Sequence, residues 1–191
     1  MKQILATSVM ALAIALPAGA QTSQSMAKPN AAKTAKAAGS DQTFVMKAAR
    51  GGLAEVELGK LAEDKATNDQ VKQFGKQMVD DHGKANDELK SLAQSKNITL
   101  PTDLSMQDKA LRDRLSKLSG AAFDRAYMQA MLKDHREDVN EFRTESRSGA
   151  DPEVKQWAAK TLPTLESHLK LAQDDSKAVG TSGTMTKTTK K

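Results

Sequence analysis

The segment FDRAYMQAMLKDHREDVNEF, residues 123–142, decides the fold. Its apolar side chains Phe123, Tyr127, Met131, Val139 and Phe142 recur at helical spacing, and His135 falls inside that stripe. An echo lies 53 residues earlier, where Phe74, Met78, Asp81, His82 and Leu89 match Tyr127, Met131, Asp134, His135 and Phe142. Both copies run from an aromatic residue through Met and Asp-His to a large apolar residue, with the same gaps. Two amphipathic helices, each with a histidine at the same point of its apolar face, predict a protein of related helical halves.

Composition agrees. Ala, Lys, Leu, Glu, Asp and Gln dominate, Val and Ile are few, and aromatics make up 3%; this favours helix over sheet. With no cysteine in the chain, neither a disulfide framework nor a thiolate metal site is available. The net charge of +5 invites a nucleic-acid reading, but its distribution opposes one. Eight lysines and no acid lie outside residues 41–176, which leaves that body at −3. Basic ends of this kind are expected to be solvated, and they can also contact anionic envelope components.

Taken in order, residues 1–20 read as a secretory signal peptide. Lys2 supplies the positive start, Ile4 to Leu16 the apolar core, and Ala18-Gly19-Ala20 a small-residue cleavage site. The apolar core is shorter than the roughly 20 residues needed to span a bilayer, so no transmembrane segment is expected in the mature chain. Residues 21–40 read as a flexible linker, 41–179 as the folded domain and 180–191 as a disordered basic tail.

Within the domain, helix A is expected from about Asp41 to Ala66, its face lined by Phe44, Ala48, Gly52, Val56, Gly59 and Ala62. The small residues imply close approach of a neighbouring helix. Thr67 to Gln70 reads as a capping box for helix B, which carries Val71, Phe74, Met78, His82, Ala85, Leu89 and Leu92 to about Lys96. Asn97 and Pro101 end it, and Ser105 with Asp108 caps a short crossover helix. Helix D follows over about Gly120–Arg147. Gly149 ends it, Asp151 caps helix E, and Pro152 takes the first helical position. Pro163 should bend helix E. Val154-Lys155-Gln156-Trp157 repeats Val71-Lys72-Gln73-Phe74, so two tandem helical hairpins are the simplest arrangement.

The stretches FVMKAARGGLAEVELGKLA, VKQFGKQMVDDH, FDRAYMQAMLKDH and TLPTLESHLKLA together resemble a family of bacterial envelope proteins, domain of unknown function 4142. The likeness spans about 41–177. It implies a ferritin-like fold, here an all-α antiparallel four-helix bundle with a short crossover helix, and an exported location, periplasmic or outer-membrane associated. It implies no particular activity. A β-barrel is not expected, because nothing alternates with period two.

Polar residues on the apolar faces carry the functional reading. His82, His135 and His168 lie on three different long helices and Glu55 on the fourth. Counting from the short turns at about 1.5 Å per residue puts all four near mid-height. One carboxylate and three imidazoles converging from four helices can ligate copper, iron or zinc. Asp81 and Asp134 are candidate outer acceptors or extra ligands, and Met78 and Met131 would favour copper. The Glu-x-x-His pattern of di-iron bundles is absent, since Val79 and Leu165 stand three residues before His82 and His168. The plainer reading is a buried network in which histidines bond acids or carbonyls and fix helix register. The chain is therefore expected to be a non-enzymatic envelope protein, with a role in stress as one option. A metal-binding or metal-redox bundle is the alternative. Phosphate loops, nucleophile elbows and interleaved basic and aromatic residues are missing.

Overall fold

The computed structural model describes residues 31–185, with side chains from Gly39 to Gly180. The expected signal peptide at 1–20, the linker before Ala31 and the tail beyond Met185 lie outside the described residues. Five helices make up the rest: α1 (Ala31–Lys65), α2 (Asp69–Ser95), α3 (Met106–Ser116), α4 (Gly120–Ser148) and α5 (Pro152–Met185). The chain is all-helical, with no strand among the described residues. α1 packs along α2 and α4 along α5; α2 also meets α5, α1 meets α4, and α3 touches α1 and α4.

Most helix ends follow from their local chemistry. Ser105 accepts the Asp108 N–H at the start of α3, and Asp151 accepts from Glu153 and Val154 at the start of α5. Asn97 takes a left-handed conformation (φ 55°) after α2. α5 stays continuous through Pro163. Three expectations need correction. Asn68, not Thr67, caps α2, accepting from Gln70 and Val71. Thr67 is claimed instead by Asp124 of α4, which accepts its N–H and its hydroxyl. α1 begins at Ala31, ten residues before Asp41, and α5 continues past Gly180 to Met185. The first extension, residues 31–40, is rich in Ala and Lys, which are good helix formers even without an apolar stripe.

The small residues of α1 do bring a neighbour close. A Cβ on Gly59 would lie 2.6 Å from the Gly75 carbonyl oxygen of α2, and one on Gly75 would lie 2.7 Å from Ala62 Cβ. The two backbones are in contact at this point, which fixes α1 against α2 one turn from Glu55.

Apolar burial divides into two clusters. One gathers Leu58, Phe74, Met78, Leu115, Phe123, Tyr127, Met131 and Val179. The other gathers Phe44, Val45, Leu89, Val139, Phe142, Trp157 and Leu165, with Phe44, Phe142 and Trp157 meeting edge-on or tilted. Along each of α1, α2, α4 and α5 the residue between the two clusters is polar: Glu55, His82, His135 and His168.

Candidate metal centre

All four of these residues are buried: Glu55 at 1% exposure, His82 at 7%, and His135 and His168 at 0%. Three long helices deliver the imidazoles to one point. Ring centroids are 5.7 Å apart for His82 and His135, and 5.4 Å for each of the other two pairs. One nitrogen from each ring lies within 4.8 Å of one from each of the others.

Hydrogen bonding fixes which nitrogens are free. His135 Nδ1 stands 3.0 Å from the Met131 carbonyl, which can only accept, so the proton sits on Nδ1 and Nε2 keeps its lone pair. His168 Nε2 stands 3.1 Å from Asp81 Oδ2, a carboxylate reaching across from α2, so its lone pair is on Nδ1. The buried nitrogens left without a hydrogen-bond partner are His82 Nε2, His135 Nε2 and His168 Nδ1. None of the three rings bonds another ring.

Electrostatics hold the imidazoles neutral. Burial pushes His82 well below the ordinary histidine range, and positive charge on His135 or His168 would push it further. Burial, then His168, brings His135 down to about 4, against a smaller opposing effect of the Met131 carbonyl. For His168, burial outweighs the Asp81 carboxylate. At neutral pH all three rings are uncharged.

The remaining expected residues divide. Glu55 lies outside the trio: its Oε1 is 3.8 Å from His135 Nδ1, too long for a hydrogen bond. It stands instead beside Asp134, and burial followed by the Asp134 charge raises its carboxyl well above the ordinary range. The repeated Asp-His pair is thus used asymmetrically: Asp81 orients a histidine, whereas Asp134 partners a glutamate. Met78 and Met131 belong to the apolar cluster with Phe74 and Tyr127. Asp138, one turn after Asp134, reads in the sequence as part of a solvated charged run; it is half-buried instead, and burial followed by the Asp134 charge raises its carboxyl well above the ordinary range.

Three neutral imidazoles, two with their outer N–H held by a carboxylate or a carbonyl, are a donor set that could hold a metal ion. Metal–nitrogen bonds of about 2.0–2.1 Å require ligand nitrogens about 3.4 Å apart. The rings would close by about 1 Å on binding.

Residues 26–174 match the family described as Domain of unknown function (DUF4142), and the chain belongs to that family. No curated protein matches it. Among solved structures it is similar to a candidate secreted protein, DUF305, from Streptomyces coelicolor, at 17% identity and a TM-score of 0.63. That match covers 74% of this chain and 92% of the other. A DUF305 fragment from Deinococcus radiodurans is similar at 13% identity and a TM-score of 0.63, covering 74% and 95%. At these identities the likeness concerns the fold alone. No helix among the described residues is long and apolar enough to cross a membrane.

Proposed function

We propose that this protein is an exported metal-binding bundle of the cell envelope, holding one copper or zinc ion on His82, His135 and His168. The observation that carries the reading is the convergence of three neutral imidazoles whose free nitrogens have no other partner. Leaving such groups buried and unpaired costs about 1–3 kcal/mol each, so a self-satisfied network is the weaker account. Imidazole nitrogen suits copper and zinc, whereas calcium and magnesium prefer oxygen. Three protein ligands leave one coordination position for a fourth donor.

The same reading places α1, α2, α4 and α5 as a ferritin-like four-helix bundle, with α3 as the crossover. It also takes residues 1–20 as a signal peptide cleaved after Ala20, with the mature chain in the periplasm or at the outer membrane. Intact mass of the chain from a periplasmic extract checks the cleavage.

Metal binding is tested on chelator-treated protein by titration with copper or zinc. One equivalent should bind, and replacing all three histidines by alanine should abolish uptake while helical circular dichroism remains. Equal uptake by wild type and the triple variant would overturn the proposal.

A further inference from the structure

We propose that the ion of the imidazole trio enters and leaves through the seam between α2 and α5, where Asp81 captures it at the surface and passes it to His168. This inference rests on the metal reading above and adds to it the route and the residue that receives the ion. The other sides of the trio are closed. Toward one end of the molecule it is covered by Phe74, Met78 and Met131, and toward the other by Leu89, Val139 and Leu165, all buried. Toward α1 it meets Glu55, which is also buried. The hairpin partners α4 and α5 pack closely along each other.

The α2–α5 seam differs. These helices come from different hairpins and pack far less extensively than α1 on α2 or α4 on α5. Two surface cavities open along the seam, one on each side of the contact between Asp81 and His168. The first, of about 140 Å³, is lined by Asp81 itself with Lys84, Ala85 and Thr164. The second, of about 160 Å³, is lined by Gln77 and Leu171 among others. Ala85 and Gln77 lie one turn to either side of Asp81 on α2, and Thr164 lies one turn before His168 on α5. The side chains flanking the first opening, Ala85 and Thr164, are small.

Asp81 is placed to receive an ion there. Of the two groups that hydrogen-bond the trio, Met131 is buried, whereas the Asp81 side chain is 28% exposed. Its Oδ2 meets His168 Nε2 at 3.1 Å, so one carboxylate spans from the cavity to a buried ring. Its Oδ1 faces the exposed Lys84 at 3.8 Å, too long for a hydrogen bond. Carboxylate oxygen replaces water on a hydrated divalent ion, and an ion on Asp81 competes with the Nε2–H of His168 for the same group. The ring is thereby released to admit the ion to the trio. Lys84 opposes the approach of a cation, while Lys160, on the far rim, is occupied by Glu88 at 2.6 Å.

The test is stopped-flow uptake of Zn²⁺ by the chelator-treated chain, read with a fast zinc indicator, beside equilibrium competition for affinity. Thr164→Trp fills the opening without touching a ligand, and should slow association and dissociation alike by about tenfold, leaving Kd within about threefold. Both rates fall together because the ion comes and goes by one path. Thr144→Trp, in the exposed cavity between α1 and α4, should leave the rates unchanged. Lys84→Gln should speed association about threefold at low salt, the gain fading as salt is added. If Thr164→Trp fails to fold, Lys84→Gln decides the matter. Zinc uptake that Thr164→Trp and Lys84→Gln leave at the wild-type rate, or that Thr144→Trp slows instead, would overturn the route while leaving the trio standing. No uptake by wild type, or equal uptake by the triple-histidine variant, would remove the metal reading and the route with it.

Discussion

Alanine substitution at two glycines of the first hairpin should move stability in opposite directions. In a helix interior Ala is favoured over Gly by about 1 kcal/mol, and this gain applies at both positions. At Gly83 an added Cβ meets nothing within 4 Å, so Gly83→Ala should stabilise by about 0.5–1 kcal/mol. At Gly59 the same atom would lie 2.6 Å from the Gly75 carbonyl oxygen and 3.0 Å from Val79 Cγ2. A carbonyl in a helix cannot swing aside as a side chain can, so α1 and α2 must separate by several tenths of an ångström. Overpacking of this kind costs about 1–3 kcal/mol, and breaking a backbone-to-backbone fit belongs at the upper end. After the propensity gain, Gly59→Ala should still destabilise by about 1–2 kcal/mol, lowering the midpoint by roughly 2–8 °C for a domain of this size. Urea unfolding followed by circular dichroism measures both variants. If Gly59→Ala matches or exceeds the wild type, the contact between the two helices is looser than described, and so is the placement of Glu55 one turn away.

Asp81→Asn keeps the shape beside His168 but replaces an anionic acceptor, and should weaken copper or zinc binding about 10–100-fold, read by competition with a chromophoric chelator. Unchanged affinity would mean that Asp81 does not orient the ring. Burial, then the Asp41 charge, raises the Glu145 carboxyl to about 7, above its ordinary 4.5. Its neutral form suits the fold, so this contribution is complete below about pH 4.5 and is lost as pH rises through 7. With solvent screening at its edge, the loss should be about 1–2 kcal/mol, and Glu145→Gln should remove it from denaturation curves taken between pH 5 and 8. Trp157, 8% exposed and packed on Phe44 and Phe142, should emit blue-shifted fluorescence. Trp157→Ala should cost about 3–5 kcal/mol in the same urea assay; water-like native emission would contradict the packing of α5.

Much of this architecture is legible in the sequence because helix period, caps and breakers are local signals. Asn97, Ser105, Asp151 and Pro152 act where their chemistry says they should. The cap of α2 was misassigned because its outcome depends on Asp124, 57 residues away from Thr67. Convergence of the histidines followed from counting residues to the turns. The partner of each histidine did not, because adjacent helical residues point about 100° apart and Asp-His neighbours therefore serve different helices. Asp138 was hidden for a related reason: in the sequence it sits in a charged run, Arg136-Glu137-Asp138, that reads as a solvated face.

The polar layer between the two apolar clusters also bears on how the molecule comes apart. Phe74, Phe123 and Tyr127 interlock within one cluster, and Phe44, Phe142 and Trp157 within the other. Between them stand side chains that contribute little hydrophobic cohesion. In the ion-free protein the two ends are coupled mainly through continuous helical backbone, so amide exchange should resolve two opening units of different protection. An ion ligated from α2, α4 and α5 at once would tie them together, and opening either end would then require releasing it. Occupancy would thereby set the size of the cooperative unit as well as its stability.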